Sequence, residues 1–163
     1  MLGYLAGREI FTMNEHSLER FIEAQNDKTY GSYESALNEI KNGKKRTHWI
    51  WYIFPQLKGL GRSYNAHFYG IDDVDEAKRY LAHPVLGARL NEITHALLNL
   101  KENNPFKVMG SPDDMKLKSC MTLFAYISES DSVFQKVLDK FFFGETDDTT
   151  IHILKGQAPI MNS

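Results

Sequence analysis

The segment from Lys44 to Ser63 concentrates the residue types best suited to holding a small molecule. It places both tryptophans of the chain between a basic cluster and a glycine-containing loop that ends in arginine and serine. Aromatic faces stack on flat rings, and guanidinium groups grip phosphate or carboxylate through paired hydrogen bonds. The segment therefore predicts a pocket for a flat, anionic ligand. Its proposed binding residues are Arg46, Trp49, Trp51, Gln56, Arg62 and Ser63.

The loop of this segment has an alternative and blander interpretation. Gly59 and Gly61 flank Leu60, which leaves backbone N–H groups available to an anion beside Arg62. The glycine spacing matches neither a phosphate-binding P-loop nor a dinucleotide fingerprint. The tryptophans could equally form the core while the neighbouring lysines solvate the start of a helix.

A second candidate segment runs from Gly110 to Thr122. On a helix, Lys116, Lys118 and Ser119 fall close to the N-terminus, where the helix dipole favours a bound phosphate. We therefore add these three residues to the predicted ligand site. The alternative is that Asp113 and Asp114 complement the dipole while the lysines face solvent.

Histidine and cysteine chemistry is sparse. His48 lies at the mouth of the predicted pocket and is the candidate catalytic residue, as a general base. The six histidines show no pair at the i, i+4 spacing of a helical zinc site, and the single Cys120 lies in an apolar stretch. We predict no metal site and no cofactor.

Composition and charge restrict the class of protein. The chain has 163 residues, 42% of them hydrophobic and 25% charged, as expected for a folded domain. A formal net charge of −2 argues against nucleic acid as a partner and means that any anion site must come from local clustering. A single cysteine fits a reducing cytoplasm, and no apolar run is long enough for a membrane span. We expect a cytoplasmic protein whose oligomeric state the sequence leaves open.

Apolar residues recur at helical spacing through most of the chain. Capping residues precede several of these stripes, at Ser32, Asp73, Ser130 or Asp131, and Asp148. His83 before Pro84 also has the position of a cap. The aromatic run at 48–54 would suit a strand, but no second strand is evident to pair with it. We predict an all-α fold of six to eight helices, with residues 1–13 an extension and 14–163 a single domain.

Five stretches carry a resemblance to a known family. The chain resembles a bacterial family of unknown function that is often labelled "calpastatin". The stretches are residues 18–25 (LERFIEAQ), 45–57 (KRTHWIWYIFPQL), 59–63 (GLGRS), 80–87 (YLAHPVLG) and 114–124 (DMKLKSCMTLF). The resemblance covers residues 17–154 and implies a compact, mostly helical cytoplasmic domain with no established activity. The label itself conflicts with the sequence, because a calpain inhibitor of that name is a long disordered chain and this one is rich in core-forming aromatics. Ala88 and Cys120 stand where proline and serine are common in the family.

A looser likeness concerns Lys116, Met121 and the pair Lys140 and Phe141, which are similar to an arrangement in helical N-glycosidases that act on ADP-ribose-type compounds. The leading functional hypothesis is a domain that binds a nucleotide, an ADP-ribose-like compound or a phosphorylated metabolite, with N-glycosidase-type hydrolysis as an extension. Whether the protein is an enzyme is left open. The alternative is a non-catalytic protein-interaction module that uses the same aromatics as a contact surface.

Overall fold

Helices form almost all of the regular structure in residues 17–157, the part of the chain that the computed structural model describes. The described part contains ten helices, more than the six to eight predicted. They are α1 Glu19–Asn26, α2 Tyr33–Lys41, α3 Ile50–Ile53, α4 Tyr64–Phe68, α5 Val74–Ala82, α6 Leu86–Leu98, α7 Pro105–Met109, α8 Asp113–Tyr126, α9 Val133–Phe142 and α10 Asp148–Gly156. The aromatic run at 48–54, predicted to be helical, contains α3, whereas α4 and α7 were missed because they are one-turn helices, too short for hydrophobic periodicity to reveal.

The predicted caps are confirmed at three helices and shifted at two. Ser32 and Asp73 each accept a hydrogen bond from the backbone N–H three residues later, and His83 Nδ1 accepts from the N–H groups of Val85 and Leu86 at the start of α6. The cap of α9 is Ser132 rather than Ser130 or Asp131, and the cap of α10 is Asp147 rather than Asp148. Each shift of one or two residues reflects neighbouring Ser and Asp residues that compete for the same role.

Helix α8 is the central element of the domain. Seven of its residues are buried, and it packs against α3, α5, α7, α9 and α10. Cys120 is among the buried residues, and burial raises the pKa of its thiol well above the ordinary value because the thiolate would be desolvated. The apolar core that surrounds α8 draws residues from every helix of the described chain except α4 and forms one continuous cluster, as expected for a single domain.

A buried ion pair fastens α1 to α5. Arg20 and Glu76 side chains are both inaccessible to solvent, and their closest nitrogen and oxygen lie 3.1 Å apart. The guanidinium also donates to the backbone carbonyls of Ser17, Phe68 and Gly70. Since Phe68 is the last residue of α4 and Gly70 lies two residues further on, this one side chain fixes the C-terminal end of α4.

The glycine-containing loop before α4 is held at both ends. A parallel bridge pairs Leu57 with Ile71, so the chain leaves and re-enters the core at adjacent points. Gly70 has no room for a side chain, because a Cβ there would lie 2.8 Å from the Ala66 carbonyl oxygen. The same Cβ would lie 2.9 Å from Lys58 Cα, so the start of the loop packs closely against the chain that follows α4, and Ser63 caps α4 by accepting a hydrogen bond from Ala66 N at 3.1 Å.

Two predictions concern the ends of the chain and the membrane. The predicted boundary at residue 13 lies outside the described residues. Across residues 17–157, none of the helices combines the length and apolar character needed to cross a bilayer.

Candidate functional site

Two segments that are distant in sequence meet at one cavity of about 430 Å³. One wall comes from α3 and the loop that leads into α4, and the other from the first two turns of α8 with the start of α10. Six of the ten predicted site residues line it: Trp51, Gln56, Arg62, Ser63, Lys116 and Ser119. Spacing could not show that these segments meet, because they lie far apart in the sequence, one ending at Ser63 and the other beginning at Gly110.

Trp51 and Lys116 form the contact between the two walls. The Lys116 ammonium lies 4.6 Å from the centroid of the Trp51 ring, a cation–π distance. Lys116 also lies 3.8 Å from Asp113, but that carboxylate makes a closer ion pair of 2.8 Å with Lys45. Asp113 is therefore shared between two lysines, and Lys116 keeps part of its positive charge available to the cavity.

Gln56 is the unusual residue of the cavity. It is only 7% exposed as a residue, and its side-chain amide borders the cavity without a hydrogen bond to any residue of the described chain. A buried amide without a partner costs free energy, and folded proteins rarely tolerate one unless it meets water or a ligand. Trp51 adds a second such group, because its buried Nε1 is likewise unpartnered within residues 17–157.

Arg62 lies at the rim of the cavity. Its side chain is exposed and makes no ion pair or hydrogen bond with the described residues. The backbone N–H groups of Gly59, Leu60 and Gly61 also donate no hydrogen bond within residues 17–157. A guanidinium and several backbone donors of this loop thus make no hydrogen bond with any other residue in 17–157.

Sequence reasoning missed the contribution of α10. Asp147 and Thr149 line the cavity, which places one carboxylate near Arg62 and Lys116. The Asp147 carboxylate is oriented by Thr150, whose backbone N–H and hydroxyl donate to one of its oxygens at 2.9 and 2.6 Å. The signal available in the sequence was only that of a helix cap, and a cap motif does not show what its side chain faces.

Ser119 and Lys118, both on α8, differ in their position relative to the cavity. Its hydroxyl donates to the Met115 carbonyl oxygen at 3.1 Å, within α8. Lys118 lies outside the cavity, 4.0 Å from Glu145 and over the ring of Phe142. Of the three α8 residues predicted, Lys116 and Ser119 therefore face the cavity and Lys118 does not.

Trp49 and Arg46 lie elsewhere as well. Trp49 is fully buried, and its Nε1 donates to Glu39 at 2.9 Å. The backbone N–H of Arg46 donates to the same carboxylate at 2.7 Å, while the Arg46 side chain is exposed. Burial raises the pKa of Glu39, but its hydrogen bonds from Arg46, Thr47 and Trp49 outweigh burial and lower the pKa overall. This group acts as a structural clasp for the start of α3.

His48 belongs to a second, neighbouring cavity that also includes Trp51. It does not join Arg62 and Lys116 along the lining of the first cavity. The residues of the looser glycosidase likeness also separate, because Met121 is buried in the core and Lys140 donates to the carbonyls of Leu97 and Leu98 at the end of α6. In residues 17–157 no group of three His, Cys, Asp or Glu side chains is arranged to hold a metal ion.

The fold and the positions of these residues define a member of an uncharacterised helical family. Residues 15–154 match the family described as "Protein of unknown function (DUF1810)", and the chain belongs to that family. Its structure is similar to the crystal structure, at 1.38 Å, of the conserved hypothetical protein Rv1873 from Mycobacterium tuberculosis. The two chains are 39% identical with a TM-score of 0.81, over 87% of this chain and 99% of the other. No curated protein matches this sequence.

Proposed function

We propose that the cavity between α3, α8 and α10 binds a small anionic molecule that carries a flat, hydrogen-bonding ring. A nucleotide, an ADP-ribose-like compound or another phosphorylated metabolite has this chemistry. The volume of about 430 Å³ is in the range of ordinary ligand pockets. The label "calpastatin" remains an expectation from the resemblance and forms no part of this proposal.

The unpartnered amide of Gln56 is the observation that carries the proposal. A glutamine amide presents one acceptor and two donors, which is the complement of the polar edge of a heterocyclic ring. Since Gln56 lines the cavity and its amide has no partner in the described chain, a ligand group can form hydrogen bonds with it. The adjacent indole of Trp51, with the Lys116 ammonium over its ring, adds an aromatic surface to the same cavity wall.

The charges of the cavity favour an anion. Arg62 and Lys116 contribute two cations, against the single carboxylate of Asp147. Arg62 has no partner in residues 17–157, and its guanidinium can grip a phosphate through two parallel hydrogen bonds. Backbone N–H groups of the loop from Gly59 to Gly61 can add donors to the same phosphate.

Hydrolysis is a separate part of the hypothesis. With His48 in the neighbouring cavity, Asp147 is the carboxylate best placed to orient a water molecule at a bound ligand. The N-glycosidase-type reaction remains a prediction, and turnover of any bound compound is its test.

A thermal-shift screen against nucleotides, ADP-ribose, NAD and sugar phosphates tests the proposed binding. We expect at least one phosphate-bearing compound to raise the melting temperature, because a ligand that binds only the folded state stabilises it. Arg62→Ala should weaken binding of that compound by about tenfold or more, through loss of a charge-assisted contact. Hits are then incubated with the protein and analysed for products, which tests hydrolysis independently of binding.

Two further variants make the screen decisive. Arg46→Ala is the matched control, because Arg46 is another exposed arginine of the same segment but lies outside the cavity. Gln56→Leu should weaken a nucleotide more than the corresponding sugar phosphate, since only the nucleotide presents a ring edge. Equal effects of Arg62→Ala and Arg46→Ala, or a screen without any hit, would overturn the proposal and favour the interaction module.

A further inference from the structure

The second cavity, on which His48 lies, has a different chemical character from the first. It encloses about 380 Å³ and shares Trp51 with the first cavity. Its other lining residues are Ala24, Asp27, Tyr30, His48, Tyr52, Asn65 and Tyr69. Four aromatic residues other than histidine therefore surround a small volume, together with one carboxylate and with neither lysine nor arginine in the lining.

The aromatic walls are held in place by the fold. The rings of Tyr52 and Tyr69 lie 5.3 Å apart between centroids and are tilted by 53°, so they form two inclined walls. The Tyr52 hydroxyl donates to the Gly31 carbonyl oxygen at 2.6 Å, and the Tyr69 ring packs on Phe21 and Phe68. Both rings are thus preorganised, while Tyr30, at 74% exposure, covers the rim.

The electrostatic character of this cavity is negative. One oxygen of the Asp27 carboxylate accepts a hydrogen bond from Thr29 N at 2.8 Å, and the other has no hydrogen bond in the described chain. Burial raises the pKa of Tyr69, with further contributions from Tyr64, Glu23 and Asp27 against an opposing effect of Arg20. Burial likewise raises the pKa of Tyr52 to about 12, with Tyr69 and Asp27 adding to the rise. The aromatic faces add their own negative potential.

Trp51 lines this cavity and already makes a cation–π contact with a lysine. Its indole already carries the Lys116 ammonium at 4.6 Å from the ring centroid, on the side of the first cavity. Indole is the best of the side-chain rings for this interaction, and cages of aromatic rings are a recurrent way of binding alkylated ammonium groups. A quaternary ammonium also needs no hydrogen-bond partners, which suits walls whose Tyr52 hydroxyl is already bonded to the backbone.

We infer that the cavity bounded by Tyr30, Trp51, Tyr52 and Tyr69 is an aromatic cage for a quaternary ammonium group, with Asp27 as its counter-charge. This site is separate from the anion cavity of the proposed function and does not depend on it. Its ligand class is an organic cation such as a choline-like or trimethylated amine.

Calorimetric titration of the wild-type protein with choline, and with its neutral isostere 3,3-dimethyl-1-butanol, tests this inference. The two probes have nearly the same shape and differ in charge. We expect choline to bind at least about tenfold more tightly, because cation–π and ionic attraction act on the charged probe alone. Equal affinity for both probes, or no binding of choline, would overturn the inference.

Variants locate the site. Tyr30→Ala and Asp27→Asn should each weaken choline about threefold to tenfold, since each removes one wall or the counter-charge. Tyr64→Ala is the matched control, because Tyr64 is 75% exposed and stacks on Phe68, but does not line this cavity. A loss of choline affinity in Tyr64→Ala equal to that in Tyr30→Ala would contradict the assignment.

Titration with adenosine completes the test, since adenosine binding without choline binding would show a site for neutral rings instead. Arg62→Ala should leave choline affinity unchanged, which separates this test from that of the anion cavity.

Discussion

Two regions of this domain use the same polar residue types in opposite ways. At the junction of α1 and α5, Arg20 donates five hydrogen bonds to protein oxygens, and the buried Gln25 bonds Tyr52, Tyr80 and Arg89. At the first cavity, Arg62 donates none within residues 17–157, and the amide of Gln56, a cavity-lining residue that is 7% exposed, has no partner there. The junction of α1 and α5 satisfies its polar groups with other protein groups, whereas the first cavity contains polar groups that have no partner within residues 17–157.

The difference separates polar side chains that hold the fold from those available to a ligand. A polar group that is buried and fully bonded contributes to stability, and its removal leaves partners unsatisfied. A buried group without a partner opposes folding, so its presence needs another reason. The four predictions below test this distinction, beginning with the largest expected change in stability.

Arg20→Met should cause the largest loss. It leaves the Glu76 carboxylate buried without its cation, which costs about 3–5 kcal/mol in the free energy of unfolding. Urea denaturation followed by circular dichroism measures the change. The double variant Arg20→Met with Glu76→Met is the control, and it should recover part of the loss because no unpaired charge remains. If the Arg20→Met single variant were at least as stable as the double variant, the structural role assigned to the buried ion pair would be contradicted.

The two buried glutamines provide a matched pair. Gln25→Leu should lower the free energy of unfolding by about 1–3 kcal/mol, because it leaves polar groups on Tyr52, Tyr80 and Arg89 without a partner. Gln56→Leu should leave stability within about 0.5 kcal/mol of wild type or increase it, since no bond within the described chain is lost. Chemical denaturation of both variants measures the difference. Equal destabilisation would show that the Gln56 amide also has a structural role.

The Glu39 clasp should give stability a pH dependence. Glu39→Gln should cost about 1–2 kcal/mol at pH 7 through weaker hydrogen bonds to Arg46, Thr47 and Trp49. Because folding lowers the pKa of Glu39, the carboxylate stabilises the fold at pH values above the ordinary value of 4.5, and this contribution is lost as the pH falls through the folded-state pKa. Urea denaturation should therefore show the gap between wild type and variant narrowing below pH 4.5. Glu129→Gln, an exposed control, should show no such gap.

Replacement of each tryptophan tests the same distinction and involves the smallest expected change in stability. Trp51→Phe should change stability by less than about 0.5 kcal/mol, because its Nε1 is unpartnered in residues 17–157 and phenylalanine retains a ring beneath Lys116. Trp49→Phe should cost clearly more, since it removes the bond to Glu39 from a fully buried side chain. Thermal unfolding of both variants provides the measurement. A larger loss in Trp51→Phe would mean that Trp51 is primarily a core residue.

The longer helices could be predicted from sequence because their signals are local. Apolar spacing over two or more turns and nearby Ser, Asp and His caps identified α2, α5, α6 and α9. The one-turn helices α4 and α7 have no such period, which explains the undercount. The aromatic content of residues 48–54 indicated a site but did not distinguish Trp49 from Trp51. Residues two positions apart lie on different faces of a helical turn, and only the packing around that turn decides which face borders the core.

Local chemistry alone determined that this chain forms a helical domain and that its aromatic and basic residues concentrate in two segments. Tertiary structure decided which of those residues face one another. It placed Arg62, Lys116 and Asp147 around one cavity and His48 on the other. It also buried Trp49, whose Nε1 donates a hydrogen bond to Glu39. The reason is that helix and cap signals depend on neighbours within a few residues, whereas a cavity depends on how distant helices pack.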